Sequence, residues 1–342
     1  MPHSAETLPP PPYLPSQPPT AAPAAPRRVA LPRRAAVADA AARICRHVAE
    51  SPLIISPLLG ARAGGRVLLK DETVQMTRSF KVRGALAALS LPPFDEPVVT
   101  ASAGNHGLGL ARAARLLGRE ATVVVPETAS RTKVAALRSF PVTVVEAGRS
   151  YDEAERQALE LARQGARYVS PYNDPDVVAG QGTLAIEILR RVPAPCTIVV
   201  GIGGGGLAAG VALWASGVPG VRVVGVEGEG APAMRAALAA GRIVPIALRP
   251  TVADGLGGNL EAGTITFELV RRHVHDVVIV SEAEIHSAMS FLVHEHCLVA
   301  EGAGAAAVAA VLAGRVSGAT GPVVAVVSGG NVDAAVLRAV LG

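Results

Sequence analysis

Three lysines, Lys70, Lys81 and Lys133, stand in a chain whose other 29 basic residues are arginine. An arginine guanidinium holds its proton and cannot form a Schiff base, whereas a lysine amine can release its proton and can form one. A lysine kept in such a background therefore marks a candidate for that chemistry. Lys81 lies in Thr77-Arg78-Ser79-Phe80-Lys81-Val82-Arg83-Gly84-Ala85, just ahead of an Ala/Leu-rich helical run. Two readings fit this stretch alone, a covalent cofactor anchor and a solvated helix-end lysine. Lys70 closes the apolar run 66–70 and reads as a solvated strand end.

Three other stretches carry groups suited to holding a ligand. Residues 203–206 are four consecutive glycines after the apolar run 197–201. Their N–H groups can converge on a phosphate, with the positive end of the next helix behind them. A plain turn has little use for four glycines, each of which costs backbone entropy. The Lys-Ser/Thr pair that completes a nucleotide P-loop does not follow them. Thr100-Ala101-Ser102-Ala103-Gly104-Asn105-His106-Gly107 also follows a β-branched run and opens a helix. Ser102 and Asn105 there either bind a ligand at the positive helix end or cap the helix. Ser328-Gly329-Gly330-Asn331 repeats the placement, and Ser328 offers its hydroxyl to a ligand or to a cap. No GxSxG elbow, HExxH pair or CxxC spacing occurs, which sets aside triad hydrolases and the common zinc sites. His294, Glu295 and His296 are consecutive on a helical run and cannot all face one site.

These loops need a frame, and the frame is a regular alternation. Short β-branched runs at 98–100, 121–125, 142–146, 197–201, 221–227, 276–280 and 322–327 punctuate helical runs. The helical runs fall at 106–117, 131–139, 151–164, 175–191, 207–216, 231–240, 281–295, 302–313 and 332–340. An earlier helix is expected from Val37 to Val48. Such alternation predicts an α/β fold with parallel sheets covered on both faces. Ligands gather at the carboxyl ends of such strands, where all three loops fall.

Composition narrows the class. Of 342 residues half are hydrophobic but only 3% aromatic, so the core is built from Ala, Val, Leu and Ile. The formal charge is +4, and four arginines against Glu6 put +3 of it in the first 34 residues. The remaining +1, with no basic stripe interleaved with aromatics, excludes nucleic acid as a partner. Cys45, Cys196 and Cys297 are odd in number and far apart, which fits a reducing compartment and a cytoplasmic location. The uncharged run 194–221 is long enough to span a bilayer, but the tetraglycine in its middle suits a strand–loop–helix, so no membrane is expected. Residues 1–36 hold 11 of the 27 prolines and read as a disordered tail.

Taken together these stretches resemble the serine/threonine dehydratase family of pyridoxal-phosphate enzymes, in the fold group of the tryptophan synthase β subunit (fold type II). The matching pieces are Ser79–Ala85, Ser102–His106, Pro171-Tyr172-Asn173-Asp174-Pro175-Asp176, Ala179-Gly180-Gln181-Gly182-Thr183, the tetraglycine, Ala253-Asp254-Gly255-Leu256 and Ser328–Asn331, in family order. They cover roughly residues 40–342. The resemblance implies two three-layer αβα domains with mostly parallel sheets. A large cofactor-binding domain would comprise 37–96 and 177–342, and a small substrate-loop domain 97–176.

It also implies pyridoxal 5′-phosphate as cofactor and assigns roles. Lys81 would be the covalent anchor and the α-proton base, with Phe80 packed beside the cofactor ring. Gly203, Gly204, Gly205 and Gly206 would bind the phosphate, Asn105 the ring hydroxyl and Ser328 the pyridine nitrogen. Ser102, Ala103, Asn105 and His106 would line the pocket for the substrate carboxylate. The implied activity is that of a carbon–nitrogen lyase, turning L-threonine or L-serine into 2-oxobutyrate or pyruvate and ammonia in a homo-oligomer, dimer or tetramer. Alternatives are a racemase, a dehydratase of another β-hydroxy amino acid such as 3-hydroxyaspartate or a phenylserine, and a catalytically silent cofactor-binding protein. Related racemases carry a serine base in place of Ala103, and alanine has nothing to titrate, which favours elimination. Arg78 stands where many members have glycine. Cation-binding members use carboxylates after the Gly-Val-Glu strand; Glu227 is a possible ligand, but Ala233 occupies the expected place of a second acid, so no metal is assigned. A C-terminal regulatory domain, as in biosynthetic threonine deaminases, is not expected.

Overall fold

The computed structural model describes residues 29–341. Helix α1 (Arg34–Ile44) begins inside the segment expected to be tail, while residues 1–28 of that expectation lie outside the described part. The earlier start has a physical cause: the Arg34 guanidinium sits 4.1 Å over the Trp214 ring and its Nε donates to the Trp214 carbonyl at 3.0 Å. Val37, Ala40 and Ile44, on one face at helical spacing, bury the rest of the helix.

Strand β1 (Leu53–Ile55), α2 (Pro57–Ala63), β2 (Val67–Asp71) and α3 (Lys81–Leu89) follow. Then β3 (Val98–Ala101), α4 (Asn105–Leu117), β4 (Ala121–Val125), α5 (Arg131–Arg138), β5 (Thr143–Glu146), α6 (Tyr151–Arg163) and β6 (Arg167–Tyr168) alternate. The remainder runs α7 (Pro175–Arg191), β7 (Cys196–Gly201), α8 (Gly206–Ala215), β8 (Val221–Gly228) and α9 (Ala233–Ala240). It ends with α10 (Ile265–His273), β9 (Asp276–Val280), α11 (Glu282–His296), α12 (Gly302–Leu312), β10 (Val323–Val327) and α13 (Ala334–Leu341).

Two sheets result. One has the order β1-β2-β10-β7-β8-β9, parallel except for β1, and the other β5-β4-β3-β6, parallel throughout. The period-2 alternation of the strands divides the core. Leu68, Ile198, Val200, Val223 and Val324 join the helices α1, α3, α7 and α8 on one face of the larger sheet. Leu69, Val199, Val224 and Ala325 join α11 and α12 on the other. The first cluster continues through α4 to one face of the smaller sheet, whose opposite face carries α6. The α/β fold with layered, mostly parallel sheets is therefore as predicted. No helix among the described residues is long and apolar enough to cross a membrane.

Two further points differ from expectation, and one close approach stands out. Lys70 is not a solvated strand end: it is 1% exposed and donates to Glu187 Oε2 and to the Ser51 carbonyl, each at 2.6 Å. Strand β2 lies between β1 and β10, so its end is covered. The helix α10 escapes prediction because its nine residues are rich in β-branched Ile265, Thr266 and Val270, which blur a helical period. Helices α3, α4 and α7 come almost backbone to backbone: a Cβ on Gly109 would lie 3.1 Å from the Lys81 carbonyl carbon, and one on Gly180 would lie 2.6 Å from the Arg83 carbonyl oxygen.

Candidate active site

Lys81 is the first residue of α3, and its Nζ donates to the Pro171 carbonyl at 3.1 Å while standing 5.2 Å from the Phe80 ring centre. Desolvation of its ammonium in this half-buried place lowers its pKa to about 8, against the opposing pull of the Glu301 carboxylate. Such an amine is closer to its reactive, neutral form near neutrality than a surface lysine.

The Pro171 loop connects Lys81 to the tetraglycine. A Cβ on Gly204 would collide with the Tyr172 ring, and one on Gly206 would come 3.2 Å from Tyr172 Cα. Gly205 takes φ +88°, a left-handed conformation that favours glycine, as it turns the chain from β7 into α8. Thr266 Oγ1 donates to the Gly204 carbonyl at 2.7 Å, and the Ile265 amide donates to Asn173 Oδ1 at 3.0 Å. Among the described residues no backbone or side-chain acceptor takes the amides of Gly203, Gly204 or Gly205. These N–H groups sit at a helix N-terminus, where an anion is favoured.

A second seam joins the stretch before Lys81 to the loop after β10. Phe80 N donates to the Ser328 carbonyl at 3.0 Å, Gly330 N to the Arg78 carbonyl at 2.9 Å, and Asn331 Nδ2 to the Thr77 carbonyl at 2.8 Å. Asn331 Nδ2 also donates to Asn105 Oδ1 at 2.7 Å, and Asn105 Nδ2 to Glu301 Oε1 at 2.6 Å. Ser328 is 6% exposed, with Oγ 3.5 Å from the Ala303 carbonyl. Glu301, at the start of α12, was not singled out from the sequence; burial, helped by the charge of Asp254, raises its pKa to about 7. Lys133, on α5, reaches Asp254 Oδ2 at 3.0 Å.

The loop after β3 places Ser102 Oγ to accept from Gly104 N at 3.2 Å, with Ala103 packed against the main core. The His106 ring turns to the Val169 carbonyl. Its Nε2 lies 3.1 Å from the Val169 carbonyl, and since a carbonyl only accepts, Nε2 carries the hydrogen. Buried Nδ1 is then a lone-pair acceptor, without a partner among the described residues, so the ring has no donor left for a carboxylate. Burial and nearby Lys81 push its pKa down to about 3, and the ring is neutral. Glu227 is elsewhere, at the end of β8, where its oxygens accept from Met234 N and Arg235 N at 2.7 and 2.8 Å. Its carboxylate caps α9, and no group of three His, Cys, Asp or Glu among the described residues is arranged to hold a metal.

A lysine of lowered pKa, a ring of free glycine amides and a buried hydroxyl thus converge at the carboxyl ends of parallel strands. A family profile described as pyridoxal-phosphate dependent enzyme matches residues 44–329. The L-threonine ammonia-lyase of Thermotoga maritima is 42% identical over 291 residues, covering 84% of this chain and 72% of that protein. The chain belongs to the pyridoxal-phosphate-dependent serine/threonine dehydratase family. Among solved structures, the processed form of threonine deaminase isoform 2 from Solanum lycopersicum superposes with TM-score 0.84 at 35% identity, covering 90% of this chain and 86% of that one. Maize serine racemase superposes with TM-score 0.85 at 31% identity, covering 91% and 97%. The residues present fit the family cofactor: the glycine amides suit its phosphate, Lys81 its aldehyde, and the Ser328 hydroxyl its uncharged ring nitrogen.

Proposed function

We propose that the protein eliminates water from L-threonine, and from L-serine, releasing ammonia and 2-oxobutyrate or pyruvate. The single observation that carries this reading is Lys81, a half-buried amine of lowered pKa held between the Pro171 loop and the Ser328 loop. Ala103 in the facing loop offers no second base, which favours elimination over two-base racemisation. The threonine ammonia-lyase and threonine deaminase relatives support the same substrate class.

Pyridoxal phosphate, when bound, supplies an electron sink for the substrate's α-carbon. The chain's own residues do the rest. The amides of Gly203 to Gly206 would hold the phosphate at the positive end of α8, and Ser328 Oγ would face the ring nitrogen. Asn105, fixed from both sides by Asn331 and Glu301, would meet the ring hydroxyl, and Phe80 would pack beside the ring. Ser102 Oγ and the first amides of α4, including that of His106, receive the substrate carboxylate. Lys81 Nζ would hold the cofactor covalently and, once free, would serve as the base for the α-proton, its lowered pKa keeping the amine available. In this reading 37–96 with 177–342 form the cofactor-holding part and 97–176 the substrate-loop part. The enzyme works as a homo-oligomer, dimer or tetramer, in the cytoplasm, in keeping with three unpaired cysteines.

A substrate panel read by 2-oxo acid formation tests the activity. Threonine and serine should give 2-oxobutyrate and pyruvate, and Lys81→Ala should lose both this activity and the borohydride-reducible link to the cofactor. Accumulation of D-amino acid alone, or a reducible link unchanged in Lys81→Ala, would contradict the reading.

A further inference from the structure

Arg83 has no part in the chemistry above, yet among the described residues it is the largest fully buried side chain and is 1% exposed. It follows Lys81 by two residues, and at about 100° per residue the two side chains leave α3 on opposite faces. On its own face Arg83 is saturated. Nε and Nη2 donate to the two oxygens of Glu72 at 2.7 and 2.8 Å, and Nη1 and Nη2 to those of Glu187 at 2.6 and 3.0 Å. The remaining N–H reaches Thr183 Oγ1 at 3.2 Å. Lys70 completes the cluster on Glu187, so two cations balance two carboxylates. The partners come from separate elements: Glu72 from the turn 72–74, Thr183 and Glu187 from α7, and Lys70 from β2.

We propose that Arg83 is a positioning residue for Lys81: its double fork on Glu72 and Glu187 sets the rotation and height of α3, and thereby where the Lys81 amine meets the cofactor. The inference rests on the reading of Lys81 as anchor. One observation and one general argument support it. The first turn of α3 has no side-chain cap, so no local hydrogen bond of that kind fixes its start. Buried ion pairs also add little net stability compared with apolar packing, whereas paired forks fix direction. Displacing a reacting group by about 1 Å can cost about 100-fold in rate.

Arg83→Lys keeps the charge balance but replaces the planar fork by a point charge that cannot span both carboxylates. The variant and parent are each stripped and reloaded with pyridoxal phosphate, and attachment at Lys81 is followed by borohydride trapping and peptide mapping. Attachment should slow by about tenfold, and kcat on threonine should fall by about 10- to 100-fold with KM changed by less than about threefold. Attachment and kcat equal to the parent's, in a variant that is merely less heat-stable, would overturn the proposal. If Arg83→Lys does not fold, Glu187→Asp, which keeps the charge but draws the carboxylate back from one of the two forks, is read the same way: a severalfold fall in attachment rate supports the proposal, and a parental rate overturns it. A parent that traps nothing at Lys81 would instead overturn the anchor reading itself, and the positioning role with it.

Discussion

Arg78 takes φ 57°, a left-handed conformation that costs a non-glycine residue about 1–2 kcal/mol. Glycine would meet that conformation without the cost, and the arginine has its own part here. Its carbonyl accepts from Gly330 N at 2.9 Å while its Nη2 donates to the Gly330 carbonyl at 3.1 Å. The side chain offsets the backbone cost by clasping the loop that carries Ser328. Arg78→Gly should accordingly leave stability within about 1 kcal/mol of the parent, exchanging strain for a hydrogen bond. Arg78→Ala keeps the strain and loses the bond, and should lower stability by about 1 kcal/mol; urea midpoints of the two variants check this order. Lys81 and the tetraglycine were legible because a rare residue type and a rare spacing stand out in one dimension. Glu301 was not, since it sits in an ordinary apolar run and gains meaning only from Asn105, 196 residues away. The Arg83–Glu187 pairing, 104 residues apart, was hidden for the same reason.

At the scale of elements, the α/β alternation was readable from Val98 onward because each unit carries its own period. The short pieces β1, α2 and β6 were not, being too brief for a period to form. Glu227 illustrates how an element end can claim a residue that the sequence offers to a ligand. Burial raises its pKa to about 7, against the two backbone N–H bonds from the first turn of α9. Glu227→Ala should strand those amides and cost about 1–3 kcal/mol. Dialysis against EDTA, by contrast, should leave the rate of 2-oxobutyrate formation unchanged, and a strong loss would return Glu227 to the role of cation ligand.

Over the whole molecule, buried groups near the cofactor loops titrate away from their ordinary values and link stability to pH. Glu301 holds its proton up to about 7 when folded, against 4.5 ordinarily, so its stabilising contribution is full below 4.5 and lost as pH rises through 7. His106 acts oppositely: with its pKa near 3 when folded and 6.5 ordinarily, its contribution is present above 6.5 and lost as pH falls through 3. The melting temperature of Glu301→Gln minus that of the parent should therefore climb between pH 4.5 and 7, a sign that differential scanning calorimetry can read.

The contact between Arg34 and Trp214 carries an optical consequence. Trp214 is the only tryptophan in the chain, and it is half-buried beneath the guanidinium of α1. Indole emission from the native protein thus comes from the seam where the first helix docks, and a shift in its wavelength reports fraying there. Absorption by the cofactor reports on the strand ends, so two colours of light follow two different regions of one unfolding chain.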